Sequence, residues 1–211
     1  MVQSQKLIYH ITHKDNLEGI ISNGFLAAHS SMAKNRIDFC DIAHTTIQDR
    51  RAQKMVPCGP GGYLHDYVPF YFAPRSPMLF AIHRGNVEGC TADQADIVYL
   101  VSSTERVASS GLKFVFTDGH GIMELSEYYD NLDNLDMIDW CIMKEAYWAD
   151  TDEDPDRKRR RQAEFLGYKN FPLDLIEKIG VYNNATKILV EELFKETTVN
   201  IPINIKSGWY Y

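Results

Sequence analysis

Five consecutive basic residues, Arg157, Lys158, Arg159, Arg160 and Arg161, run through Gln162 and Ala163 into a carboxylate, Glu164, that opens the apolar pair Phe165-Leu166. A carboxylate entering a core straight from a cationic stretch can meet a charged ligand at the core edge. Just ahead lie five acids in seven residues, Asp150, Asp152, Glu153, Asp154 and Asp156, in a Pro-containing run that reads as an exposed loop. The bland account of the basic run is a solvated face or an import signal. Arg50 and Arg51 near the end of IDFCDIAHTTIQDRRAQK suit the negative end of a helix dipole, or are simply solvated. His120, between glycines in Asp118-Gly119-His120-Gly121, is not expected to be packed in a core. His10 and His13 make half a metal site, but no carboxylate or third histidine stands at ligand spacing, so no metal is expected. GxGxxG, GxxxxGK[ST], GxSxG and HExxH are all absent.

Something must hold these dispersed groups together. The chain has 211 residues, 45% hydrophobic and 24% charged, and a single domain over residues 1–211 with a large core is expected. No apolar run approaches the roughly 18 residues that span a bilayer. The opening MVQSQKLIYH carries no leader pattern, and Cys40, Cys58, Cys90 and Cys141 are scattered, so a cytoplasmic protein with reduced thiols and no membrane partner is expected. The net charge of -7 argues against general nucleic-acid affinity, yet the bases are clustered where the acids are spread.

Alternation predicts a strand at Leu7 to Ile11, with Leu7, Tyr9 and Ile11 on one face. Thr12 with Asp15 three residues on is a weak capping box, and a helix through Leu17, Ile20 and Ile21 stops at Gly24. Ile37 to Lys54, free of Pro and Gly, is expected to be helical. PCGPGGYLHDY is a loop, Val68 to Phe72 a strand, and Ser76 with Pro77 the cap and first residue of a helix to His83. Further strands are expected at Ile97 to Val101, Lys113 to Thr117, Phe165 to Lys169 and Ile179 to Tyr182, with Val199 to Ile205 ending the sheet. Helices are expected at Thr104 to Ser110, along Leu132, Leu135, Ile138 and Ile142, and at Ala185 to Glu196. Short strands mixed irregularly with helices point to an α+β sheet domain, not a doubly wound one.

YHITHKDNLEGI, IQDRRAQKMVP, GGYLHDYVPFYFAPRSPMLFAI, GLKFVFTDGHG, YWAD, RRQAEFL and GWYY together resemble the DarT family of bacterial DNA ADP-ribosyltransferase toxins, most closely its thymine-modifying branch. The resemblance covers essentially the whole chain. It implies an ADP-ribosyltransferase fold: a split, mainly antiparallel sheet with flanking helices and NAD, the co-substrate, in the cleft. It assigns Glu164 as catalytic glutamate, Arg51 to the junction of NAD and target base, and His120 to the loop framing that base. His10, Ile11, Thr12, Gly19 and Ala27 would hold NAD together with the Ile37 to Lys54 element. Arg75, Ser76, Pro77, Met78, Leu79 and Phe80 would line a single DNA strand, as would Ala146, Tyr147, Trp148, Ala149 and the run Lys158, Arg159, Arg160, Arg161 and Gln162. A macrodomain antitoxin that reverses the mark is the implied partner. Gly167 after EFL and the long acidic loop depart from the pattern.

The implied chemistry needs these residue types. Breaking the nicotinamide–ribose bond leaves positive charge on the sugar, which a carboxylate steadies as in glycosidases. Thymine N3 is a poor nucleophile while protonated. A guanidinium stays charged in proteins, so Arg51 would stabilise the deprotonating base while Glu164 or His120 takes the proton. Tyr71 and Tyr147 would offer stacking faces. The alternatives left open are a transferase acting on protein or on guanine, and a non-catalytic NAD- or nucleic-acid-binding module.

Overall fold

A computed structural model describes residues 5–35 and 37–211; the leader reading falls partly on residues 1–4, outside them. Among the described residues ten strands form: β1 (Leu7–His13), β2 (Phe25–Ala27), β3 (Tyr67–Tyr71), β4 (Ile97–Ser103), β5 (Phe114–Thr117), β6 (Tyr128–Tyr129), β7 (Glu164–Tyr168), β8 (Asn170–Pro172), β9 (Lys178–Val181) and β10 (Ile203–Ile205). The α-helices are α1 (Asn16–Asn23), α2 (His29–Asn35), α3 (Thr45–Gln53), α4 (Pro77–His83), α5 (Thr104–Ser110), α6 (Arg157–Arg161) and α7 (Asn184–Phe194). Eight strands join in the order β10-β9-β4-β1-β3-β7-β5-β6, antiparallel except for β9 with β10, and β2 pairs with β8.

Both faces of the sheet are covered, as the near-continuous apolar runs of β4 and β7 require. Ile8, Phe70, Leu100 and Phe165 pack on one face with Leu17 of α1, Val107 of α5 and Val190 of α7. Tyr9, Ile11, Tyr99 and Val101 pack on the other with Leu79 and Ile82 of α4. The sheet opens in its middle. β1 pairs along its whole length with β4, but meets β3 at one position, Tyr9 opposite Tyr71. Pro69 in β3 has no N–H to give a neighbour, so it is tolerated where strands part. Its carbonyl is taken by the His10 ring, Nδ1 to O 2.8 Å, instead of by the β1 backbone. That opening is the cleft.

The α+β class and most elements stand where patterning puts them. Ser76 caps α4, its hydroxyl accepting from the Leu79 N–H at 3.2 Å, and Pro77 opens the helix. Ser76→Ala is expected to cost about 1 kcal/mol, read as a fall of about 2–4 °C in Tm for a chain of this size; an unchanged melt would remove the cap from the account.

Four readings are corrected. Ile37 to Lys54 is helical only in α3, because the Asn16 side chain bonds both the N–H and C=O of Cys40 and Asp41 accepts from the Ala43 N–H, holding residues 37–44 in irregular structure. The Leu132 to Ile142 stripe forms 3-10 turns, Leu132–Met137 and Ile142–Lys144, since Asn131 and Asp139 accept from nearby N–H groups and compete with an α-helix. Thr12 is no cap; it lies inside β1, and its hydroxyl accepts from the Asn16 amide at 3.0 Å. Of Val199 to Ile205 only the last three residues form a strand. Among the described residues no helix is long and apolar enough to cross a membrane.

Candidate active site

Glu164 is the first residue of β7, and its neighbour across the ladder is Tyr71, the last of β3. The main-chain N–H of Glu164 donates to the Thr117 hydroxyl at 3.1 Å, tying the strand entrance to the end of β5. The carboxylate is 3% exposed, so it must be compensated. Arg51 Nη1 donates to Oε2 at 2.7 Å and the Gly121 N–H to Oε1 at 3.0 Å, while His120 Nε2 stands 4.0 Å from Oε1. Burial alone would push this carboxyl up, but the guanidinium, His120 and the Gly121 N–H outweigh it and hold it below the usual range. It is an anion at neutral pH, held with fixed geometry.

Arg51 comes from α3, whose other side chains contribute little core. The helix is fastened at its far end by Arg50, which donates to the Ile122 carbonyl at 3.3 Å, and by the pair of Lys54 with Glu124 at 2.9 Å. Arg51 Nη2 is buried and has no protein partner. A donor buried without an acceptor is costly, so this nitrogen is where a ligand oxygen or an electron-rich ring atom gains most. His120 is pushed down to about 4, by burial first and by Arg51 and Arg50 after it, against the pull of Glu164. It is therefore a neutral imidazole, tucked into the cleft contrary to the expectation of an unpacked loop residue. Burial and the nearby carboxylate raise the Tyr71 hydroxyl, which stays protonated.

His10, Ile11, Thr12, Gly19, Ala27, Arg51, Tyr71, His120 and Glu164 all line one cleft, which also takes in Met78 and much of residues 37–48. His10 is lowered to about 4 by burial, opposed by its bond to the Pro69 carbonyl. Since that carbonyl can only accept, Nδ1 carries the proton and Nε2 is left as an acceptor. A Cβ at Gly19 would meet no protein atom within 4 Å, leaving room for a ligand to approach the backbone. The cleft thus combines apolar walls with a few fixed polar groups, the usual form of a small-molecule site. Among the described residues no group of three or more His, Cys, Asp or Glu could hold a metal ion.

The residues proposed to line a DNA strand divide. Phe80 is exposed, Met78 is half-buried on the cleft wall and Arg75 is half-buried with its guanidinium over the Tyr211 ring, whereas Ser76, Pro77 and Leu79 are buried and serve α4 itself. Phe80 and Trp148 pack edge to face at 5.9 Å, so the segments 75–80 and 146–149 adjoin, with Tyr147 87% exposed beside them. The basic run is not the open cationic surface expected of it. Arg160 pairs with Asp139, Asp154 and Asp156. Arg161 is 4% exposed and donates to the Pro74 and Met143 carbonyls. Arg159 pairs with Asp118 and Asp156. The acidic loop supplies several of these counter-charges, so bases and acids clustered in sequence neutralise one another in space. Lys158 is exposed, with no acid partner among the described residues.

Sequence reasoning missed Asn16, Gly121, Thr117 and Tyr128, which fix the cleft wall and the carboxylate, and the stacked pair His29–His65 on the cleft wall, 4.2 Å between ring centres. Gly121 acts through its own N–H and Asn16 through side-chain bonds to the Cys40 backbone, neither of which a side-chain pattern reveals.

The family model described as "ssDNA thymidine ADP-ribosyltransferase, DarT" matches residues 9–211. A DNA ADP-ribosyl transferase of Thermus sp. (strain 2.9) is 46% identical over 207 residues, 97% of this chain and 95% of that one. The Thermus sp. 2.9 DarT structure in complex with ADP-ribosylated ssDNA superposes with a TM-score of 0.91 at 43% identity, covering 98% of this chain and 96% of that one. Its structure with NAD+ gives 0.89 at 40% identity over the full length of both. More distantly, a DNA ADP-ribosyl transferase-DNA ADP-ribosyl glycohydrolase fusion protein of Thermosipho africanus (strain H17ap60334) is 24% identical over 160 residues, 75% of this chain and 38% of the fusion. With nearly its whole length matched at these identities, the chain belongs to the DarT family.

Proposed function

We propose that this chain, as one ADP-ribosyltransferase domain, transfers ADP-ribose from NAD to thymine in single-stranded DNA and releases nicotinamide. The observation that carries the reading is an ionised, fully compensated carboxylate, Glu164, beside a guanidinium with a free buried nitrogen, at the point where the sheet opens. NAD, as substrate, supplies the ribosyl carbon and a leaving group; His10, Ile11, Thr12, Gly19 and Ala27 line the wall that would hold it. The bond from nicotinamide nitrogen to ribose C1 breaks with its electron pair on nicotinamide, thymine N3 gives up its proton, and N3 bonds to C1. Glu164 steadies positive charge on the sugar, and Arg51 steadies negative charge on the base. A neutral His120 has an unshared pair for the N3 proton, but its low basicity leaves the burden of acidifying N3 with Arg51.

The family points to a toxin role in the cytoplasm, and the Thermosipho fusion of transferase with glycohydrolase supports a partner of macrodomain type that removes the mark. Paired thymine hides N3 inside the base pair, and unpairing costs about a few kcal/mol. Exposed Tyr147 beside Phe80 suits a flexible strand laid over aromatic faces. With labelled NAD, a thymine-containing oligonucleotide is expected to take label. Its annealed duplex, and the same strand with N3-methylthymine, are expected to take none. Equal labelling of duplex and single strand, or undiminished labelling of the N3-methyl strand, would overturn the assignment.

A further inference from the structure

Arg159 is the residue of the basic run whose contacts point back toward the chemistry. Its Nε and Nη2 donate to the two Asp156 carboxylate oxygens at 2.8 and 2.9 Å, and its Nη1 to Asp118 Oδ1 at 3.0 Å and Ser126 Oγ at 3.2 Å. Its carbonyl accepts from the His120 N–H at 3.0 Å. A Cβ on Gly119 would overlap the guanidinium, so the loop backbone lies directly against it. Side chain and main chain of this one residue thus grip the loop from Asp118 to Ser126.

The grip is passed on inside the loop. The Ser126 hydroxyl, accepting from Arg159, donates to the His120 carbonyl at 2.8 Å. Thr117 Oγ1 donates to the Gly119 carbonyl at 2.6 Å, and the Tyr128 hydroxyl donates to the Gly121 carbonyl. The outcome of these bonds is the Gly121 N–H set on Glu164 Oε1 and the His120 ring beside it. A planar fork of five donors can hold two carboxylates and a hydroxyl at fixed angles, which an ammonium cannot. Phosphate oxygens would find this fork already engaged.

We propose that Arg159 is a positioning residue, which sets the loop that aims His120 and the Gly121 N–H at Glu164, and that it makes no phosphate contact with the DNA strand. The proposal rests on the reading of Glu164 as the catalytic carboxylate. Displacing a group at the reacting centre by a fraction of an ångström costs on the order of 10- to 100-fold in rate.

The test compares Arg159→Gln, Arg159→Lys, Asp118→Asn and Gly119→Ala in steady-state transfer to a thymine oligonucleotide, with binding measured across a salt series. All four are expected to lower kcat while the oligonucleotide KM and the slope of log affinity against log salt stay parental. Two of them change the charge in opposite directions and two leave it unchanged, so only positioning predicts a common effect. Arg159→Gln with parental kcat, a raised KM and a slope shallower by about one would show a phosphate contact and overturn the proposal. Asp118→Asn that binds oligonucleotide more tightly at unchanged kcat would do the same. If Arg159→Gln does not fold, Gly119→Ala and Asp118→Asn decide, each with its thermal melt. Glu164→Gln runs alongside: parental transfer by that variant would remove the catalytic reading itself, whatever the Arg159 variants show.

Discussion

Glu164→Gln lowers transfer to a single-stranded oligonucleotide by on the order of 10²- to 10³-fold, while binding of NAD falls little. The amide keeps the shape of the carboxylate and one oxygen, able to accept from the Gly121 N–H or from Arg51. What it lacks is the negative charge, and that charge matters most when the sugar becomes cationic, in the transition state and not in the bound substrate. The loss should therefore appear in kcat far more than in the KM for NAD. The substitution also leaves Arg51 without an anionic partner in a buried place, so the melt is measured in parallel. A variant that folds, binds NAD and transfers at the parental rate would end the assignment of Glu164.

Arg51→Met carries the second large effect, and it has a pH signature. In the parent, burial raises the Glu164 carboxyl but Arg51, His120 and Gly121 together bring it below its usual 4.5. A depressed carboxyl contributes stability that is fully present above the unfolded value and is lost as pH falls through the folded one. Remove the guanidinium, and burial acts against only the two weaker partners, so the carboxyl rises and its stabilising contribution shrinks or reverses near neutrality. Two consequences follow. The rate at pH 7 falls by on the order of 10²-fold, because the charge facing the deprotonating base is gone. The acid limb of the pH–rate profile moves to higher pH. A profile whose acid limb stays in place would show that Arg51 does not govern the state of Glu164.

Patterning located most of the strands, though not the short β2, β6 and β8, because the sheet is buried on both faces and its apolar runs are short and bounded by turn residues. It failed at residues 37–44 and 132–142, where apolar spacing fits a helix but Asn16, Asp41, Asn131 and Asp139 offer the backbone other partners. No window centred on those segments contains Asn16. The cleft residues were legible only through resemblance: His10, Arg51 and Glu164 lie on separate elements, and nothing in their local sequence says that they meet. The basic run misled for the opposite reason. Five adjacent cations look like a surface when their counter-charges, Asp118 and Asp139 among them, are remote in the chain.

The strand order has a consequence for how the enzyme comes into being. β3 and β5 are not bonded to each other; both are bonded to β7, which is inserted between them. A ribosome that has delivered the first 160 residues has delivered Arg51, Tyr71 and His120, but neither the carboxylate nor the strand that brings them into register. Pairings this remote along the chain close late, since the entropy of a large loop must be met before the contacts reward it. Products that end before β7 lack Glu164 and are expected to be inactive, since that strand lies in the last quarter of the sequence. By its place in the chain, the strand that carries Glu164 is the last part of the cleft to be made.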